Sequence, residues 1–282
     1  MNEKIDKFKL KKILIKTKRK IFSEIAGNNI SHFEGEGFDF VELREYHFGD
    51  DVRKIDWKVT AKKQKPYIKI FKEEKELNIV IVSLLGGSVY FGSKALKQDV
   101  IAELFALLAF SSVKNSDKFS SVIFTDKEER FTKPTKKIFG VYKGVEEVLK
   151  FNPLGKKVDF EKLVSYLRKR IKRRSLIFLL GDFIGDMDLS LLAKKHEVFA
   201  FIVRDKLEEN PPEFGFMHIM DPETGKIVQM DMDKSAIKSY KKMIVKNDAK
   251  LHKHFIKNRI RFTKVYTDDD PFVKMSKLFS GV

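Results

Sequence analysis

The side chains with the most chemistry to offer are packed between Glu42 and Trp57. Glu42, Arg44, Glu45, Asp50, Asp51, Arg53, Lys54 and Asp56 alternate there with Leu43, Tyr46, Phe48, Ile55 and Trp57. Adjacent carboxylates such as Asp50 and Asp51 invite an acid/base reading. Neighbouring guanidinium groups lower both carboxyl pKa values instead, which favours fixed ion pairs. Arg44 and Arg53 can each grip a carboxylate through two N–H donors. Gly49 permits the positive φ of a tight turn. The block then has two uses. One is an ion-pair clasp that pins the segment to the rest of the protein, and this is the expectation. The other is a docking surface anchored by Trp57 and the arginines.

Elsewhere the sequence closes off several chemistries. Cysteine is absent, so there is no thiol nucleophile, disulfide or cysteine zinc site. His32, His47, His196, His218, His252 and His254 include no i, i+4 pair on a helix face, and all six read as non-ligands. There is no phosphate loop with its lysine and no nucleophile elbow. No catalytic residue, cofactor or bound metal is expected. Lys plus Arg is 57 against 40 Asp plus Glu, a formal charge of +17. That charge admits nucleic acid, anionic lipid or an acidic protein face as partners. The strongest basic run, Arg168 to Arg174, ends a predicted helix, where cations suit the dipole. It lacks the interleaved aromatics of a nucleic-acid site, so nucleic acid is not expected.

These groups are positioned by elements that the hydrophobic pattern outlines. Residues 1–27 form a basic helical segment, with Ile5, Phe8, Ile15 and Phe22 at helix-like intervals. Its expected place is against the body with a solvated basic face; the alternative is a membrane-surface contact. Residues 28–76 carry the charged block and a strand over Pro66 to Phe71. From 77 to 282 a main domain follows. Leu77–Leu85, Lys118–Phe124, Ser175–Leu180, Val198–Val203 and Arg261–Tyr266 read as strands. Helices are predicted over Lys94–Val113, Phe139–Leu149, Phe160–Ile171 and Lys234–Ile256. Strands separated by helices imply a mostly parallel α/β sheet. The turn Asp221-Pro222-Glu223-Thr224-Gly225 predicts a hairpin, and Asp270-Pro271 starts a last helix. No apolar stretch approaches the ~20 residues that span a bilayer, and no signal-peptide core is seen at the N-terminus.

The Glu42–Trp57 block resembles the signature of the bacterial family called domain of unknown function fifty-eight, a set of von Willebrand factor A-like proteins. Arg44, Gly49-Asp50-Asp51, Arg53 and Ile55-Asp56-Trp57 carry the likeness, continued by Ala61, Pro66, Tyr67 and Phe71-Lys72-Glu73-Glu74. The resemblance implies a Rossmann-like von Willebrand A fold and a partnership with MoxR-type AAA+ ATPases, without catalysis. It also implies a metal-ion-dependent adhesion site of pattern Asp-x-Ser-x-Ser, completed by a later Thr and Asp. Aligned on Phe91-Gly92, those positions are Leu84, Gly86, Ser88, Val158 and Asp182. Only one hydroxyl and one carboxylate survive, so a degenerate site without tight metal is expected, since hard cations need an oxygen-rich shell. Asp182, Asp186 and Asp188 leave room for a looser acidic cluster.

The expected protein is therefore a cytoplasmic, non-catalytic adaptor of a MoxR-type ATPase acting on an unknown protein client. A peripheral place at the inner membrane, through an anionic membrane surface, is a further expectation. The rival readings are a basic nucleic-acid or membrane-surface binder and, behind it, a hydrolase.

Overall fold

The computed structural model describes residues 2–23, 40–71 and 77–280. The matches at Lys72-Glu73-Glu74 and the side chains of Ile5, Glu42 and Lys54 lie outside the described residues. By its contacts the chain forms two units, Ser31–Leu77 and the remainder, Met1–Ile30 with Asn78–Val282.

The larger unit begins with α1 (Asn2–Ser23). Ile13, Thr17 and Ile21, each four residues apart, are its buried line. The helix packs on α3, and Lys9 and Lys16 pair there with Asp99 at 2.9 Å and Glu103 at 2.6 Å. The apolar line marked by Phe8, Ile15 and Phe22 is exposed instead, because the 3.6-residue period puts it opposite Ile13 and Thr17.

The small unit pairs β1 (Phe40–Glu45) with β2 (Tyr67–Phe71) in antiparallel register, joined through α2 (Trp57–Lys63). In the larger unit follow β3 (Asn78–Leu84), α3 (Lys97–Lys114), β4 (Lys118–Phe124), β5 (Glu128–Thr135), α4 (Ile138–Lys150), α5 (Phe160–Arg170) and β6 (Leu176–Gly181). Then come α6 (Ser190–Ala193), β7 (Glu197–Arg204), α7 (Lys206–Glu209), β8 (Gly215–Met220), β9 (Ile227–Met232), α8 (Lys234–Lys257), β10 (Arg261–Tyr266) and α9 (Pro271–Ser280). Six strands form one sheet in the order β10-β7-β6-β3-β4-β5, and only β5 runs antiparallel. This is the mostly parallel α/β sheet flanked by helices that the sequence predicts, and it is consistent with a von Willebrand A-like fold. The edge strand β5 was not expected. Its alternation is weak and Pro134 interrupts it, which only an edge tolerates.

The apolar runs of β3, β6 and β7 are buried on both faces. One face packs Val80, Val82, Leu179 and Ala200 against Leu163 of α5 and Phe255 of α8. The other lies under α3 and α9, where Phe279 meets the rings of Phe178, Phe199 and Phe201. From the central β3 the chain passes to β4 on one side, and later returns through β6 to the other. The loops leaving β3 and β6 therefore diverge, which opens the crevice where α/β sheets usually bind ligands. No helix among the described residues is long and apolar enough to cross a membrane.

Candidate functional site

The five positions implied for an adhesion site converge at this crevice. Leu84 ends β3 with its side chain in the core, beside Gly181. Gly86 lies against Val158, where an added Cβ would stand 3.3 Å from the valine methyl. Asp182 follows β6, is 5% exposed, and bonds the Ser88 hydroxyl.

A cation does reach Asp182, but it is a side chain of this protein. Lys97, the first residue of α3, is fully buried. Its Nζ stands 3.2 Å from Asp182 Oδ2 and 2.8 Å from Glu208 Oε1. Burial alone would raise the Asp182 carboxyl pKa. The Lys97 ammonium, the Ser88 hydroxyl and the charge of Arg204 outweigh it and hold the group below its ordinary value. A divalent ion at Asp182 would meet an ammonium already in hydrogen-bond contact, a leucine in place of the first carboxylate and a valine in place of the threonine. The donor set does not fit a resident metal. Asp186 and Asp188 do not join it: Asp186 is exposed, and Asp188 caps α6 by accepting the Ser190 N–H at 2.8 Å.

Neighbouring groups fix the lysine from all sides. Glu208 is presented by α7, which Asp205 caps through the Leu207 N–H. Asp205 also accepts from the Ser93 N–H and hydroxyl at 2.8 and 2.9 Å, and from the Thr267 hydroxyl. The same carboxylate thus ties the loop before α3 to β10's exit. Sequence reading found Asp182 and Ser88 but missed Lys97, Glu208 and Asp205. Nothing local marks Lys97 among the chain's many lysines; only the crevice selects it.

The crevice is roofed by the β8–β9 turn. Asp221 organises that turn by accepting from the Glu223 N–H and the Thr224 hydroxyl. Pro222 O then accepts the Gly155 N–H at 2.9 Å. Gly87 passes so close beneath that a Cβ would stand 2.1 Å from Pro222 O. Glu223 comes within electrostatic reach of Asp182 and Lys97. Burial, and then the carboxylates of Asp182 and Asp221, push its pKa up against the pull of Lys157.

In the small unit, Arg44 Nη2 bonds both oxygens of Asp50 at 2.9 and 3.0 Å, and the His47 N–H joins them at 2.8 Å. Gly49 makes the turn at φ +102°. That backbone N–H, followed by Arg44, holds the Asp50 carboxyl below its ordinary range, against a small burial effect. Arg53 grips Asp51 through Nε and Nη2, both at 3.1 Å. Asp56 caps α2 through the Lys58 and Val59 N–H groups. Each of these ion pairs closes within the segment. Trp57, by contrast, is 70% exposed at the start of α2.

Comparisons agree with the signature. The uncharacterized protein Rv1480 of Mycobacterium tuberculosis H37Rv is 24% identical over 240 residues, 79% of this chain and 73% of its own length. The corresponding Mycobacterium bovis protein, Mb1516, matches to the same extent. Among solved structures, the conserved hypothetical protein BatB from Bacteroides thetaiotaomicron overlaps at TM-score 0.45 and 12% identity. That overlap covers 73% of this chain and 98% of BatB. The model of the family described as "Protein of unknown function DUF58" matches residues 42–250. That span is most of the chain and includes both the signature block and the lysine-filled crevice, and the chain belongs to this family.

Proposed function

We propose that the chain is a non-catalytic protein-interaction module of von Willebrand A type, an adaptor or partner of a MoxR-type AAA+ ATPase in protein maturation or remodelling. The observation that carries this reading is the β8–β9 ribbon, seated by its turn on the lysine-filled crevice. An isolated two-stranded ribbon in water is marginal on its own, yet this one presents apolar side chains. Phe216 and Ile227 are 67% and 66% exposed, and Met220, Val228 and Met230 are exposed beside them. A methionine-rich apolar patch at the ligand-binding edge of an α/β sheet suits an adaptable protein partner. With Lys97 supplying the charge beneath, such binding needs no metal. A cytoplasmic place goes with this reading, and the client is left open.

The test is affinity capture from the native host with the full chain, followed by mass spectrometry. A MoxR-type ATPase should co-elute with the wild type, with or without EDTA. It should be lost with Phe216→Asp/Ile227→Asp, whose exposed positions leave the melting temperature within about 2 °C. Recovery of only ribosomal or genomic material would contradict the reading, as would capture that EDTA abolishes.

A further inference from the structure

The outward face of α1 has no partner within the described fold. Phe8, Ile15 and Phe22 are 72%, 52% and 45% exposed. Seven-residue spacing places them on one line, about 10 Å apart along the axis. Lys7, Lys11, Lys12, Lys18 and Arg19 are exposed along the same outer half of the helix. From residue 7 to residue 22 the sequence contains no carboxylate at all. The inner half is separately occupied: Ile13, Thr17 and Ile21 are buried, and Lys9, Lys16 and Lys20 pair with Asp99, Glu103 and Asp270. Lys114 of α3 adds a further ammonium beside the Phe22 ring, 5.6 Å from its centre.

We propose that this face docks flat on an anionic lipid bilayer. Large apolar side chains on one line, flanked on both sides by lysine and arginine, are what an interfacial helix buries at the headgroup boundary. The basic flank supplies attraction to anionic headgroups, and an acid-free face leaves nothing to repel them. The pattern does not suit the other occupants of a basic helix. A helical protein partner in a coiled coil needs two apolar positions per heptad, and this face offers one. A nucleic acid would use flat rings for stacking, and Ile15 at the centre of the line has none. The salt bridges to α3 hold the helix ready, so docking demands no refolding. The proposal is independent of the ATPase partnership, because it uses a different face of the protein.

The experiment is flotation of the full chain with phosphatidylcholine vesicles, with and without phosphatidylglycerol. The wild type should float with the phosphatidylglycerol-containing vesicles and stay behind with pure phosphatidylcholine. Phe8→Ser/Ile15→Ser/Phe22→Ser should lower the bound fraction about a hundredfold or more, since three large apolar side chains no longer enter the interface. Lys11→Glu/Lys18→Glu should weaken binding in the same vesicles through the charge alone. The circular dichroism melt should be unchanged in both variants, because the substituted side chains touch water. Equal binding by the wild type and the serine variant overturns the proposal. So does equal binding to neutral and anionic vesicles, or retention by duplex DNA with none by vesicles.

Discussion

Lys97→Met should cost the fold about 3–5 kcal/mol, the range for removing one partner of a buried ion pair. The substitution keeps the volume and removes only the charge. Asp182 and Glu208 then face each other's surroundings without a cation, under a roof that admits little water. For a domain of this size the loss corresponds to a fall of about 10 °C in melting temperature. Adding Asp182→Leu to Lys97→Met should restore part of it, because an uncompensated buried carboxylate is worse than an apolar pair. The pH dependence carries a sign. In the wild type the folded Asp182 pKa is lowered, so the pair stabilises above the ordinary carboxylate range and is lost as pH falls through the folded value. In Lys97→Met burial acts alone and raises that pKa, so acid relieves the variant and its gap to the wild type narrows. Denaturant titration of both proteins from neutral pH into acid measures this. A loss below about 1 kcal/mol, or a gap that does not change with pH, would mean that the lysine is not the charge that holds the crevice.

Gly87→Val should unseat the hairpin while sparing the sheet. The added Cβ would stand 2.1 Å from Pro222 O and 2.4 Å from its carbonyl carbon, and both are backbone atoms that no rotamer change can move. The turn has to lift, at a cost of about 1–3 kcal/mol for overpacking. Hydrogen exchange reads the consequence directly. The Gly155 N–H, which donates to Pro222 O, and the amides paired across β8 and β9 should lose protection. Amides of β3 and β6 should keep theirs. Partner capture should fall with the same variant. Unaltered exchange at Gly155 together with an unaltered melt would show that the turn is not seated on Gly87.

The sheet was legible because β3, β6 and β7 are long β-branched and aromatic runs that suit only strands buried on both faces. The helices between them declared themselves by spacing. Asp270 does bond the Phe272 N–H at 3.0 Å at the start of α9, as a capping pair before proline should. The turn at Asp221 was equally readable. What escaped is long-range. Lys97 and Asp182 are joined across 85 positions, and Lys97 and Glu208 across 111. No local pattern tells a lysine that will be buried from one that will be solvated. The outward line of α1 was visible as a period. Its direction was not, because Ile13 and Ile21 offered a second apolar line, and only packing on α3 decides between the two. In the small unit the sequence implied that Arg44 and Arg53 would find aspartates; which aspartates, and that both lie within the same segment, depended on the turn at Gly49.

The central claim is that the Lys97 ammonium takes the place of a metal ion at the ligand-binding edge of the sheet. Isothermal titration of the wild-type protein with Mg²⁺, Mn²⁺ and Ca²⁺, beside Asp182→Asn, tests it most directly. The account predicts no saturable heat from either protein at millimolar ion. Micromolar binding by the wild type that Asp182→Asn abolishes would contradict it.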